Sequence, residues 1–227
     1  MQRWLTSVAS LATVLVATGP GSAADAAVVP ALCASIDRNI AHAQNWLEAG
    51  DFKSLSQAAS GMELLAAVLQ SQGDDDTWQE AIERLVAAAM AVRTSAQAED
   101  PAAAGSALMN LAAANTALAK LTPTGQPLPP PKAKLRSLML LMDGVRGEAK
   151  IALIAGNTEK AKNQAHVLSE LGRVVSNLRS GERWARLSDE FTAASLAAAK
   201  SPSLDAQALR PLLRVVSQRC DACHDIR

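Results

Sequence analysis

Five of the chain's ten prolines fall between Pro123 and Pro131, in the run Thr122-Pro-Thr-Gly-Gln-Pro-Leu-Pro-Pro-Pro131. Proline fixes φ and lacks an N–H, so such a run enters neither a helix interior nor a central strand. It reads as a stiff, extended segment. It therefore splits the chain, and what lies on each side must fold without it. About a fifth of the residues are Ala, aromatics make up 3%, and there is no Tyr. Sheets favour β-branched and aromatic side chains, so composition argues against an all-β fold and an all-α fold is expected.

The two sides resemble each other. Gly50 and Gly156, Trp78 and Trp184, and Leu85 and Phe191 are each 106 residues apart. Asp100-Pro-Ala-Ala-Ala corresponds to Leu204-Asp-Ala-Gln-Ala with a small gap. This spacing points to a duplicated unit. Apolar residues at intervals of three and four predict helices over 31–49, 53–72, 76–97 and 101–121, then 132–155, 158–178, 183–200 and 204–226. Asp100-Pro101 is an N-cap followed by proline at the first helical position. Pro211 is expected in the first turn of a last helix that starts near Leu209. Short turns between helices imply antiparallel neighbours, hence two tandem four-helix bundles, 27–122 and 132–227, joined by a 123–131 linker.

The first 26 residues read as a secretory signal. Arg3 precedes an apolar stretch from Leu5 to Val16, and Ser22-Ala23-Ala24 and Ala24-Asp25-Ala26 fit a cleavage site. The apolar stretch is too short to span a bilayer comfortably, and no membrane span is expected in the mature protein. A soluble, periplasmic location follows. The 22 basic and 22 acidic residues cancel. A nucleic-acid binder would carry a basic excess, so nucleic acid is not an expected partner.

The chemistry lies in Cys220-Asp-Ala-Cys223-His224. Two thiols three apart on one helical face can each add to a vinyl group of a single haem. The next residue then offers an imidazole to the iron from the same side. A thioredoxin-like pair would need a βαβ setting. A structural zinc site would need two more ligands, and Cys33, His42 and His166 are scattered. A Cys220–Cys223 disulfide leaves the adjacent His unexplained. One covalent haem c per chain, with His224 as axial iron ligand, is the expectation.

The stretch Trp184-x6-Phe191, an Ala-rich helix, a short break and then Cys220-Asp-Ala-Cys223-His224-Asp225 resembles the cytochrome c prime family over about 132–227. Lys134-Leu-Arg136 matches a Lys-x-Arg of that family's first helix, and the resemblance places Leu140 over the distal haem face. Gly156 follows 16 residues later, as the family pattern implies. The resemblance implies a periplasmic four-helix bundle with Arg136 and Trp184 near the haem. Arg227 is the counterpart of an arginine near a propionate, but it stands three residues after His224 rather than four. Asn115, Leu118 and Ala119 take the places of Cys220, Cys223 and His224 in the first half, which reads as a haem-free copy.

The distal wall decides the use. With Leu140 over the iron, the haem is open to small gases such as nitric oxide or carbon monoxide. With Met139 or Met142 as sixth ligand, it suits electron transfer. Both Met residues can equally be core packing. The function expected is electron carriage, gas binding or both, with a redox protein or a small gas as partner. The alternative is an interaction module whose haem-free half docks a redox enzyme. No Ser/His/Asp set or carboxylate pair stands out, so no enzyme is expected. His42 and His166 read as surface residues, Trp78 and Trp184 as bundle packing, Cys33 as a small buried hydrophobe, and Asp74-Asp75-Asp76 as charge at a helix N-terminus. Relatives of this kind pair through their first two helices, so the two halves are expected to form an intrachain pseudo-dimer.

Overall fold

The computed structural model describes residues 27–178, 180–202 and 205–224; the expected signal segment 1–26 and Arg227 lie outside the described residues. Among these residues the fold is all-α. The helices are α1 Val28–Glu48, α2 Phe52–Gln70, α3 Asp76–Gln97, α4 Pro101–Leu118, α5 Leu135–Ile154, α6 Thr158–Ser176, α7 Glu182–Ala199 and α8 Ala206–His224. None is long and apolar enough to cross a membrane.

The ends follow from local chemistry. Asp51, Asp75, Asp100 and Asn157 cap α2, α3, α4 and α6 by accepting backbone N–H bonds from Ser54, Trp78, Ala103 and Lys160. These bonds satisfy donors that the first turn leaves orphaned. At the other end, Gly50 and Gly156 stand at φ +69° and +71°. There the chain reverses with paired bonds from Gly50 N to Leu47 O and from Asp51 N to Trp46 O. Gly156 N to Leu153 O and Asn157 N to Ala152 O repeat them 106 residues on. This turn needs a left-handed residue, which glycine supplies without steric cost.

Two expectations about helix ends are corrected. α5 begins at Leu135 rather than 132, because the extended backbone of the proline run continues through Lys134, at φ −74° and ψ 125°. α8 begins at Ala206, so Pro211 lies inside the helix, in its second turn. The missing Pro211 N–H leaves one carbonyl of the preceding turn without its intrahelical partner.

In the first half α1 packs on α2 and α4, α2 on α3, and α3 on α4. In the second, α5 packs on α6 and α8, α6 on α7, and α7 on α8. Across the halves, α1 meets α6, and α2 meets both α5 and α6, so nearly all the buried apolar residues form one contiguous cluster. The proline segment is bound to the α2–α3 loop. Leu128 N donates to Ser71 O (2.9 Å), Asp74 N to Thr124 O (3.2 Å) and Thr124 N to Asp75 Oδ2 (2.8 Å). Asp75 thus caps α3 and ties down residue 124 as well, a second task beyond the charge effect expected of Asp74–Asp76.

Candidate functional site

α8 presents Cys220, half-buried, to a cleft of about 540 Å³ between α5, α6, α7 and α8. The helix continues through Cys223 and His224, so all three motif residues share one rigid element. From α5 come Arg136, Met139, Leu140 and Met142. Val175 of α6 and Ser188 and Phe191 of α7 form the inner wall. Asp143, Arg146 and Asp221 stand at the polar edge. The volume lies within the range of small-molecule and cofactor sites, and the wall has their usual mix of apolar lining and a few charges.

The sequence-derived residues divide. Cys220, Arg136, Leu140, Met139 and Met142 are brought together around the cleft. Met142 is buried, Met139 half-buried, and Leu140 is 57% exposed. Trp184 is not part of the wall. It is buried behind it, donating its indole N–H to the carbonyl of Val175 at 2.9 Å. Trp184 thus supports the wall from behind.

Two charges shape the rim. Arg146 reaches Asp143 at 2.7 Å and Asp221 at 3.5 Å. Partial burial works against its charge, but the Asp143 hydrogen bond and the charges of Asp143, Cys220 and Asp221 hold its pKa above the ordinary value. Arg136 is exposed at the cleft and has no ion pair among the described residues, so this cation is free to meet a ligand's anion.

The first half shows what this site would be if closed. Counting back 106 residues from Met139, Met142, Arg146, Val175, Ser188 and Phe191 gives Cys33, Ile36, Ile40, Leu69, Ile82 and Leu85. All six are buried. Asn115, in the place of Cys220, is fully buried and donates its amide to Cys33 O (3.0 Å) and Asp37 Oδ1 (2.7 Å). Burial and the Asp37 charge push the Cys33 thiol up to about 12, so it stays a neutral core residue. Sequence reasoning did not mark Arg146 or Ser188. The signal was present, because each replaces an Ile of the packed copy.

His42 and His166 lie elsewhere. His42 stacks in tilted fashion on Trp46, 5.9 Å between ring centroids, and faces Glu148 across the seam of the two halves. His166 is buried in α6, not at the surface as expected, because α6 is covered by α1 and α2 as well as by α5 and α7. Among the described residues no group of three or more His, Cys, Asp or Glu gathers to hold a metal ion.

The chain matches no family model, no curated protein and no solved structure.

Proposed function

We propose that the chain is a periplasmic c-type haem protein, resembling cytochrome c prime, that carries electrons or binds small gases. One observation carries this reading: Cys220 opens onto a cleft whose counterpart in the other half is filled with side chains. The residues present fit a haem. Cys220 and Cys223 would each add their S–H across one vinyl group, forming two thioethers with nothing lost. His224 would hold the iron. Arg136 would meet a propionate. Met139, Met142 and Phe191 would replace water around the ring. Bound haem would supply one-electron chemistry or a site for nitric oxide or carbon monoxide. Arg146 holds a positive charge beside Cys220.

The same reading assigns the helices to tandem four-helix bundles, only the second carrying haem, with residues 1–26 as secretory signal. The halves form a pseudo-dimer. Close to a two-fold axis a residue faces its own equivalent. His42 and Glu148 are equivalent, 106 apart, and lie 3.6 Å from each other. Optical and resonance Raman spectra test the site. A low-spin haem converted to high-spin by Met139→Leu or Met142→Leu identifies an electron carrier. A high-spin haem that takes up carbon monoxide identifies a gas binder, and no haem signature at all contradicts both.

A further inference from the structure

A second cleft, of about 570 Å³, opens on the seam where α1 and α2 meet α5 and α6. Gln164 of α6 belongs to its wall and is fully buried, yet neither its amide nitrogen nor its amide oxygen has a hydrogen-bond partner among the described residues. A buried amide with both atoms unpaired is costly and calls for a partner. Arg38 of α1 shares the wall, and its Nη2 is also shielded from solvent without a partner among the described residues. Glu148 does not supply one. Its Oε2 lies 2.9 Å from Lys160 Nζ but 4.0 Å from Arg38 Nε, and its Oε1 faces His42. Burial draws the Arg38 pKa below its ordinary value, and Glu148 and Asp37 only offset this. With Arg38 and Arg136 against Glu148, the lining is net positive. Trp46, Leu141 and Val145 add apolar surface.

We propose that this seam cleft binds a small hydroxycarboxylate. Its carboxylate accepts hydrogen bonds from Arg38 Nη2 and Gln164 Nε2, its hydroxyl donates to Gln164 Oε1, and its apolar body lies on Trp46 and Val145. The match is by inventory: two unpaired donors, one of them cationic, and one unpaired acceptor. The site does not depend on haem, although Arg136 and Leu140 line both clefts and place the ligand just behind the wall opposite Cys220.

The test is calorimetric titration of the full chain with mandelate. Saturable binding is expected. Phenylacetate, which lacks the hydroxyl, and mandelamide, which lacks the charge, should each bind at least about tenfold more weakly. Gln164→Met should weaken mandelate binding by at least about tenfold while leaving the Tm unchanged or higher, since it removes an unpaired buried amide. Gln57→Trp, at an exposed position on the rim, should block binding without touching the polar set. No saturable heat with mandelate overturns the proposal. So does wild-type binding by both variants.

Discussion

The indole N–H of Trp184 donates to the carbonyl of Val175 at 2.9 Å, and Val175 is part of the Cys220 cleft wall. Trp78 and Leu69 make the same bond at 3.0 Å, 106 residues earlier. One bond thus pins α7 to α6, and α3 to α2, in each half. Trp184→Phe deletes the indole N–H and part of the buried ring volume, leaving Val175 O, among the described residues, with only its bond from Leu178 N. It should lower stability by about 1–3 kcal/mol in urea unfolding. Trp78→Phe should cost a similar amount. A cost confined to one of them would show that the two bonds are not equivalent.

Gly172 lets α6 and α7 approach closely. A Cβ there would lie 2.9 Å from Phe191 Cδ1 and would collide with Thr192 Oγ1. Gly172→Ala should destabilise by about 1–3 kcal/mol and displace Phe191 into the cleft. Gly147 in α5 has open space at its Cβ, so Gly147→Ala should stabilise by roughly 0.5–1 kcal/mol through helix propensity alone. Thermal melts of the two variants should move in opposite directions.

Ser188 stands where the closed half has Ile82, and it is buried. Among the described residues its hydroxyl bonds only within α7, to Trp184 O and Ala185 O, both at 2.9 Å. Ser188→Ile should fill the inner end of the cleft and raise apo-protein stability by about 1–2 kcal/mol. It should also reduce the yield of haem-loaded protein. A gain in stability with undiminished haem loading would dissociate the cleft from the cofactor.

Asp75 accepts backbone bonds from Thr124 and Trp78, which hold its carboxyl below the usual carboxylate range. A depressed folded-state pKa contributes stability that is full above the unfolded value, about 4, and is lost as pH falls through the folded value. Asp75→Ala should therefore melt lower than wild type at pH 7, with the gap narrowing as pH drops below about 4. A gap that stays constant down to pH 2 would contradict the charge's role.

The helices were legible because Ala-rich apolar periodicity, Asp caps and the Gly50 and Gly156 turns are local signals. Their ends were less so at Lys134 and Pro211, where a neighbouring extended run and tertiary packing decided the outcome. The proline segment's stiffness was readable, but its bonding to Ser71, Asp74 and Asp75 was not, since such contacts leave no periodic trace. At the site, Cys220 was legible from its motif, and Arg136 and Leu140 of α5 only from the resemblance to the cytochrome c prime family. Arg146 and Ser188 required comparison with the packed half. His166 was misread because its polar neighbours suggested solvent, whereas contact with the other half buries it. Gln164 and Arg38 carried no signal at all, because a seam between halves is not written in either half alone.

The most direct measurement is the intact mass of the purified protein after expression with the cytochrome c maturation machinery. One covalently added haem per chain is predicted, stable to acid and organic solvent. The thioether signature should be altered in Cys220→Ala and abolished in the Cys220→Ala, Cys223→Ala double variant. An unmodified mass from wild-type chain, under conditions that load a control c-type cytochrome, would contradict the account.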